Sequence, residues 1–191
     1  MMKRLLGRGR TAAAWLVSDS EGREVVEKRS GSGKWTENFK RESRALEILK
    51  EFSWTPDLYD ANVNDAVITM SYTGTSLDNV DPELWPKDFL EQATKIYEDM
   101  KSINFNHNDI KRPNMTLMEG KIYLIDFGYC SLTSKTRNPE GQLGFNDFSL
   151  GDPEIENTTE MRHCFPGRCD WKDFERLEKF RLGEIDLKPN Q

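Results

Sequence analysis

The sequence predicts an α+β fold in two lobes, a strand-rich N-terminal lobe with one helix and a mainly helical C-terminal lobe. Short runs rich in β-branched and other apolar residues, separated by glycine-containing turns, fill much of the first lobe. Apolar residues recur at helical spacing in two long segments, one beginning near residue 36 and the other near residue 86. A pair of short strands is embedded in the second lobe.

The first lobe begins with three predicted strands. They lie at residues 5–6, 14–17 and 23–28. Thr36 can then cap a helix that runs to about Phe52, because its hydroxyl satisfies a free backbone N–H. The apolar residues of this segment fall on one helical face. A short apolar run at residues 66–72 predicts a buried strand.

The second lobe begins at Pro86, a residue that suits the first turn of a helix. Apolar residues repeat at helical spacing from Phe89 to Ile103. Two apolar runs, at 115–118 and 121–125, flank a two-residue loop that contains Gly120, which predicts a β-hairpin. The remainder is rich in glycine, proline and charge and carries one further helical stripe, at about 171–182.

Composition excludes several classes of protein. The chain has 191 residues and a net charge of −6, which argues against a nucleic-acid protein held by bulk electrostatics. No apolar run approaches the roughly 18 residues that a membrane helix needs. Three cysteines cannot form a disulfide framework, so a reducing compartment, the cytoplasm, is predicted. His163, Cys164 and Cys169 lack a fourth ligand at convincing spacing, and no zinc site is predicted there.

Three oxygen-bearing side chains surround the predicted hairpin. Asp109 and Asn114 precede it, and Asp126 follows it directly. Closing the hairpin would bring these side chains together, and a cluster of hard oxygen ligands suits Mg²⁺. The sequence therefore predicts a magnesium site at this point of the second lobe.

The same stretch resembles the protein kinase superfamily. Residues 107–114 read His-Asn-Asp-Ile-Lys-Arg-Pro-Asn and are similar to the catalytic loop H-R-D-x-x-x-x-N, while residues 126–128 match D-F-G. The resemblance implies a bilobal kinase-like fold, with ATP as phosphate donor and Mg²⁺, replaceable by Mn²⁺, as the metal. It implies that Asp109 accepts the proton of the acceptor hydroxyl, and that Asn114 and Asp126 hold the metal. Lys111 resembles the lysine that contacts the γ-phosphate in Ser/Thr protein kinases.

Upstream residues extend the resemblance. Gly7 and Gly9 match the glycine-rich loop G-x-G-x-x-G, in which missing side chains let backbone N–H groups approach phosphate oxygens; Ala12 stands at the third glycine. Val26 and Lys28 lie in a segment that resembles V-A-I-K, which makes Lys28 the candidate for the α/β-phosphates.

Lys28 needs an acidic partner on the following helix, and Glu42 and Glu47 compete for that role. Helical phase places Glu42 in the apolar face and Glu47 on the solvated face. A carboxylate in an apolar face requires a cation opposite it, because burial of an unpaired charge is costly. Glu42 is therefore predicted to pair with Lys28.

Residues 70–74 resemble the hinge between kinase lobes. By that resemblance Met70 is the gatekeeper, and backbone groups of Ser71 and Thr73 bind adenine. The resemblance thus divides a single kinase-like domain, 1–191, into an N-lobe at 1–70, a hinge at 71–77 and a C-lobe at 78–191.

After Gly128 the resemblance weakens. Residues 151–154 are similar to the A-P-E motif, and Asp170 to an aspartate on a later buttressing helix. The short remainder predicts a reduced C-lobe, as in RIO-type and other small members of the superfamily, with a core that a protein partner could complete. Asn108 replaces the arginine that normally binds a phosphorylated activation loop, so we expect no activation by loop phosphorylation. His107 is expected to pack and to form hydrogen bonds rather than to act as a base.

The expected function is ATP-dependent transfer of the γ-phosphate to a hydroxyl, preferably of Ser or Thr in a protein. Two alternatives remain open. One is a small-molecule kinase similar to the aminoglycoside, choline or sugar kinases, since His-Asn-Asp is reminiscent of choline-kinase-like proteins. The other is a nucleotide-binding pseudokinase that acts as a scaffold.

Overall fold

The structure is a computed structural model that describes residues 3–9, 11–31, 36–133, 146–155 and 170–188. The fold is α+β, as predicted from the sequence. The strands are β1 Lys3–Arg8, β2 Ala12–Ser18, β3 Glu24–Ser30, β4 Leu58–Asn62, β5 Val67–Ser71, β6 Thr75–Ser76, β7 Phe105–Asn106, β8 Met115–Met118, β9 Lys121–Leu124, β10 Ser131–Thr133 and β11 Asn146–Asp147. The described α-helices are α1 Thr36–Leu49, α2 Phe89–Ser102 and α3 Asp170–Arg181.

The N-terminal part is an antiparallel sheet of five strands in the order β1-β2-β3-β5-β4. Four of its strands match the predicted ones, with small differences at their ends. Strand β4 was not predicted, because its residues are mostly exposed and show no alternation of apolar and polar side chains. It lies at the sheet edge, where one side of the strand remains unpaired.

The pairing register places several predicted site residues on one face of this sheet. Gly7 pairs with Ala14, Ala14 with Lys28, and Lys28 with Ile68, so these four form one row across four strands. Directly opposed residues in antiparallel strands point to the same face. The period of two along each strand adds a second row to that face. Its members are Leu16, Val26, Met70 and Leu58.

Helix α1 packs against the part of the sheet formed by β3, β5 and β4. Its buried apolar residues are Phe39, Ala45, Leu46 and Leu49. The predicted end at Phe52 is wrong, because the helix ends at Leu49. The Leu49 carbonyl accepts hydrogen bonds from the Phe52 N–H at 2.9 Å and from the Thr55 hydroxyl at 3.3 Å, which closes the helix in a tight turn.

The C-terminal part is built around α2 and two small sheets. Helix α2 begins at Phe89 rather than at Pro86, whose carbonyl instead accepts from the Phe89 N–H at 3.0 Å in a preceding turn. The predicted hairpin is confirmed as β8 and β9, which pair with β6 in one sheet; β7, β10 and β11 form the other. The predicted helix near residue 171 is confirmed as α3, which packs on α2.

One cluster of buried apolar residues runs through both parts, from Leu16 on β2 to Leu177 on α3. Trp54 and Trp85 are buried in this cluster. No helix in the described ranges is long and apolar enough to cross a membrane. Cys130 is buried as a free thiol. The predictions on His163, Cys164 and Cys169 lie outside the described residues.

Candidate active site

The lysine cluster, defined as Lys28, Glu42 and Asp126, lies between the sheet, α1 and the segment after β9. The Lys28 Nζ donates to Glu42 Oε2 at 2.6 Å, to Glu42 Oε1 at 2.8 Å and to Asp126 Oδ1 at 2.8 Å. The side chains of Lys28 and Glu42 are only 12% and 4% exposed, whereas that of Asp126 is 35% exposed. The ammonium thus joins a buried carboxylate to one that faces solvent.

Charge within the lysine cluster sets its protonation states. Burial alone would lower the pKa of Lys28, but the Asp126 and Glu42 carboxylates outweigh burial and raise it. Burial alone would raise the pKa of Asp126, and the Lys28 ammonium reverses this and lowers it. Burial raises the pKa of Glu42, although Lys28 opposes the shift. Lys28 is therefore a permanent cation at the site, and Asp126 is a permanent anion at neutral pH.

The structure distinguishes the two candidate partners of Lys28. Glu42 contacts it directly, whereas Glu47 pairs with Arg44 at 3.0 Å on the same helix and its side chain is 55% exposed. The helical-phase argument therefore placed both glutamates correctly. The physical reason is that α1 presents one face to the sheet, and Lys28 is the cation that this face meets.

The loop cluster, defined as Asp109, Lys111 and Asn114, lies within six consecutive residues. The Lys111 Nζ is 2.8 Å from Asp109 Oδ2, and the Asn114 Nδ2 donates to the same oxygen at 2.9 Å and to the Asp109 carbonyl at 2.8 Å. A short 3₁₀ turn, Arg112–Asn114, folds the chain back so that these contacts form. Asp109 and Asn114 are buried, and Lys111 is partly exposed.

Asp170 at the start of α3 supports the backbone that leads into the loop cluster. Its carboxylate accepts from the His107 N–H at 2.7 Å and from the Asn108 N–H at 3.0 Å. Asn108 has φ of 64°, a left-handed conformation that asparagine tolerates better than most residues. The carboxylate thus holds two successive backbone amides and fixes the direction in which Asp109 leaves the loop. The resemblance compared Asp170 with an aspartate on a later helix, and the structure places it at the start of α3.

His107 is a packing and hydrogen-bonding residue in this structure, as expected. Its Nε2 lies 3.0 Å from the Ile125 carbonyl, which can only accept, so Nε2 carries the proton. Its Nδ1 then accepts from the Asp109 N–H at 3.3 Å. The ring is fully buried and packs against Phe127 at 5.1 Å between centroids. Both ring nitrogens are committed to the backbone, so neither is available as a base.

The two clusters meet at the predicted metal ligands. The Ile125 N–H donates to the Asn114 carbonyl at 3.0 Å, which places Asp126 next to Asn114. Asp109 holds the Asn114 amide nitrogen, so the amide oxygen is the atom that can coordinate a cation. One carboxylate and one amide oxygen are a donor set that suits Mg²⁺ with water and phosphate completing its shell. The residues present therefore fit the implied metal.

The predicted hinge follows β5. Met70 is buried and shares the sheet face of Lys28. The Ser71 N–H donates to the Asp57 carbonyl at 2.9 Å, so this amide is already engaged within the protein. Thr73 is buried, and its hydroxyl is 2.9 Å from that of Thr116. The binding of adenine by backbone groups of Ser71 and Thr73 stays a prediction.

The glycines near the site differ in what the fold demands of them. A Cβ on Gly7 would meet no atom within 4 Å, and one on Gly9 would meet only the Ala12 carbonyl oxygen, at 3.7 Å. Gly74 has φ of 95°, and a Cβ there would lie 2.1 Å from the Leu117 carbonyl oxygen. The chain's own packing therefore requires Gly74 but not Gly7 or Gly9, which leave open space on or near the Lys28 face.

Two residues next to the site were missed in the sequence. Arg41 is fully buried and its guanidinium donates to the Gly128 and Phe148 carbonyls, while Asn38 also donates to the Gly128 carbonyl. Helical phase places Arg41 about 40° from Ala45, at the edge of the apolar face of α1. Periodicity at this boundary position does not decide the exposure of a charged residue, and Arg41 is buried where the Gly128 and Phe148 carbonyls accept its hydrogen bonds.

Comparison with known proteins shows a similarity that covers part of the chain. A scan against known protein-family models gives no match. The chain is 30% identical over 93 residues to the KEOPS complex subunit Bud32 of Pyrococcus abyssi (strain GE5 / Orsay). The aligned region is 46% of this chain and 42% of Bud32, so it spans less than half of either protein. The chain is similar to this subunit over that region.

Proposed function

We propose that this protein is an ATP-dependent phosphotransferase with a kinase-like arrangement of an N-lobe at 1–70, a hinge at 71–77 and a reduced C-lobe at 78–191. The observation that carries the proposal is the junction of the lysine cluster with the loop cluster. Lys28 and Asp126 lie in one cluster, Asp109 and Asn114 in the other, and the backbone hydrogen bond from Ile125 to Asn114 links the two. The motif resemblance and the distant similarity to Bud32 support a kinase-like protein.

In the proposed reaction Lys28, oriented by Glu42, binds the α- and β-phosphates of ATP. Asn114 and Asp126 hold Mg²⁺, which neutralises phosphate charge when bound. The acceptor hydroxyl gives its proton to Asp109 as its oxygen bonds to the γ-phosphorus. The bond from the γ-phosphorus to the bridging oxygen breaks, and its electron pair leaves on ADP. Catalysis consists mainly of positioning and charge neutralisation.

The sheet face around Lys28 supports the nucleotide part of the proposal. Gly7 and Gly9 leave their backbone open to phosphate oxygens, while Ala12, Val26 and Met70 share the face on which Lys28 lies. Ser71 and Thr73 follow at the edge where the adenine would bind. Small side chains on β1 and β2 keep this face accessible to a ligand.

A Ser or Thr hydroxyl of a protein is the preferred acceptor. Lys111 lies 2.8 Å from the Asp109 carboxylate, where its ammonium can also neutralise the charge of the transferring phosphoryl group. The resemblance to Ser/Thr protein kinases implies that Lys111 contacts the γ-phosphate, and this supports a protein hydroxyl as acceptor. A small hydroxyl compound is the alternative acceptor, and the His-Asn-Asp sequence favours it.

The central test uses radiolabelled ATP and Mg²⁺ with the native protein, Asp109→Asn and Lys28→Ala. We expect labelled product only with the native protein, because Asp109→Asn removes the proton acceptor and Lys28→Ala removes the phosphate ligand. A matched control is Lys95→Ala, since the Lys95 side chain is 74% exposed and pairs with Asp99 on the surface of α2. Absence of label from every substrate and from the protein itself would exclude the enzyme.

A second comparison divides the acceptor classes. Generic protein substrates are tested beside a panel of sugars, aminoglycosides and choline. Label in Ser or Thr supports the protein kinase, and label in a small molecule supports the alternative.

The scaffold remains the competing function because the similar protein is a subunit of a complex. It predicts binding of a protein partner that is unchanged in Asp109→Asn, with no phosphate transfer by the native protein. The enzyme predicts transfer that Asp109→Asn abolishes.

A further inference from the structure

The segment directly after Phe127 is held from two sides by side chains that the proposed chemistry does not use. We infer that Arg41 is a positioning residue, which ties α1 to this segment and so holds Glu42 against Lys28 without any phosphoryl group on the protein. The inference rests on the proposed function for its effect on catalysis. Its structural part stands on contacts that can be tested without an activity assay.

On one side, Arg41 connects α1 to two stretches of chain. Its Nε donates to the Phe148 carbonyl at 2.9 Å, and one terminal guanidinium nitrogen donates to the Gly128 carbonyl at 2.8 Å. Asn38, one helical turn earlier, donates to the same Gly128 oxygen at 3.0 Å. A Cβ on Gly128 would lie 3.1 Å from the Asn38 amide nitrogen, so the glycine permits this approach.

The burial of Arg41 makes this contact specific. The residue is 1% exposed, and burial lowers the pKa of its guanidinium. A buried guanidinium needs hydrogen-bond acceptors, because an unsatisfied charged donor is costly. The Gly128 and Phe148 carbonyls supply them, so movement of α1 away from residue 128 would leave the charge without these acceptors. Helix α1 is thereby fixed in one position.

On the other side, Asn108 holds the same segment from the catalytic loop. Its amide nitrogen donates to the Tyr129 carbonyl at 3.0 Å and to the Ser131 hydroxyl at 2.9 Å. Ser131 and the intervening Cys130 are fully buried. Arg41 and Asn108 thus hold residues 128–131 through hydrogen bonds to backbone carbonyls and one hydroxyl of this segment. These contacts require no negative charge from a modified residue.

The effect reaches the lysine cluster through one peptide bond. Arg41 and Glu42 are consecutive on α1, and one donates toward residue 128 while the other accepts from Lys28. If Arg41 is released, α1 can move and the Glu42 carboxylate can leave Lys28. Misplacement of about 1 Å can cost roughly a hundredfold in rate, so this contact is expected to affect the rate of phosphate transfer.

The test compares Arg41→Met with Arg44→Met. Both substitutions remove a guanidinium from α1, but Arg44 has a side chain 40% exposed and pairs with Glu47 at the surface. Steady-state kcat and KM for ATP are measured with phosphatase-treated and untreated protein. In the absence of nucleotide, acetylation of Lys28 by an amine-reactive ester is followed by mass spectrometry.

We expect Arg41→Met to lower kcat by about tenfold to a hundredfold and to make Lys28 readily acetylated. Arg44→Met should behave as the native protein, and phosphatase should change nothing. In a Glu42→Gln background, Arg41→Met should lower kcat no further, because a residue that acts through Glu42 has nothing left to position. A purely structural role would instead lower kcat equally in both backgrounds.

The inference is overturned if folded Arg41→Met keeps Lys28 as protected as in the native protein, or if its effect on kcat is unchanged by Glu42→Gln. If Arg41→Met does not fold, the test is repeated with Arg41→Lys and with Asn38→Ala. Each of these variants keeps part of the contact with the Gly128 carbonyl. Increased Lys28 acetylation in those variants supports the inference, and native protection contradicts it. If the native protein transfers no phosphate, the proposed function fails, and acetylation alone decides the positioning role.

Discussion

The two polar clusters of the site are assembled in opposite ways. In the lysine cluster, Lys28 on a strand contacts Glu42 on a helix, 14 positions later in the chain. It also contacts Asp126 at the end of a hairpin, 98 positions later. The loop cluster lies within six consecutive residues and owes its shape to one 3₁₀ turn. Its long-range support comes from Asp170, which binds the backbone rather than the cluster's side chains.

The two clusters should therefore respond differently to substitution. The lysine cluster depends on the relative position of the sheet, α1 and residue 126. Loss of one of its charges removes a counter-charge from a buried partner. The loop cluster keeps its internal hydrogen bonds whenever the turn forms. Loss of the Asp170 contacts should therefore shift the position of the cluster without breaking those bonds. Substitutions that separate these two outcomes test the comparison.

The largest effect is expected for Lys28→Met. Removal of one member of a buried ion pair typically costs about 3 kcal/mol in the free energy of unfolding, because the remaining charge is buried without its partner. Burial raises the pKa of Glu42, so its folded form takes up a proton at higher pH than its unfolded form. The destabilisation should therefore be greatest at neutral pH and shrink as the pH falls from 7 toward 4.

Chemical denaturation at several pH values measures this effect. Lys95→Met, on the exposed face of α2, should stay within about 0.5 kcal/mol of the native protein at every pH. A Lys28→Met protein as stable as the native one at pH 7 would show that the lysine cluster does not hold the fold together.

Asp170→Asn should have the next largest effect. An asparagine offers one neutral acceptor where the carboxylate accepts from two backbone amides, and a hydrogen bond to a charged group contributes about 2 kcal/mol. We expect a loss of that size in the free energy of unfolding, with lower phosphate transfer as Asp109 shifts.

Glu175→Gln on the exposed face of α3 is the matched control and should change neither stability nor activity. If Asp170→Asn lost activity without any change in unfolding, Asp170 would act on the reaction by another route than support of the loop.

The smallest effect on stability is expected for Asp126→Asn, since this carboxylate is the most exposed member of the lysine cluster. Lys28 lowers the pKa of Asp126 below its ordinary value of 3.8. The ionised Asp126 carboxylate therefore contributes fully to the free energy of unfolding at pH values above 3.8. This contribution is lost as the pH falls through the lower pKa of Asp126 in the folded protein. The native protein should exceed the variant by about 1 kcal/mol at pH 6, and the difference should shrink toward pH 3.

Urea unfolding of both proteins between pH 6 and pH 3 provides the measurement. A difference that stays constant over this range would mean that Asp126 is not stabilised by the Lys28 charge.

Local patterns in the sequence predicted much of the fold and site. The hairpin at 115–125 followed from two apolar runs around Gly120, and α1 and α2 followed from their helical periodicity. Helical phase also separated Glu42 from Glu47. Strand β4 was missed because its residues are exposed and irregular, and the helix ends were misplaced because turns such as that at Leu49 depend on contacts with later residues.

Local geometry can be read from the sequence alone. The period of a helix, strand or turn sets which residues one or a few positions apart lie close together. The sequence thus determined the loop cluster and the phase of Glu42. Three contacts follow from the tertiary packing alone: Asp126 with Lys28, Arg41 with the Gly128 and Phe148 carbonyls, and Asp170 with the backbone of the loop. Those contacts depend on packing between distant segments, which a periodic pattern cannot encode because it describes the face of an element and not its neighbour.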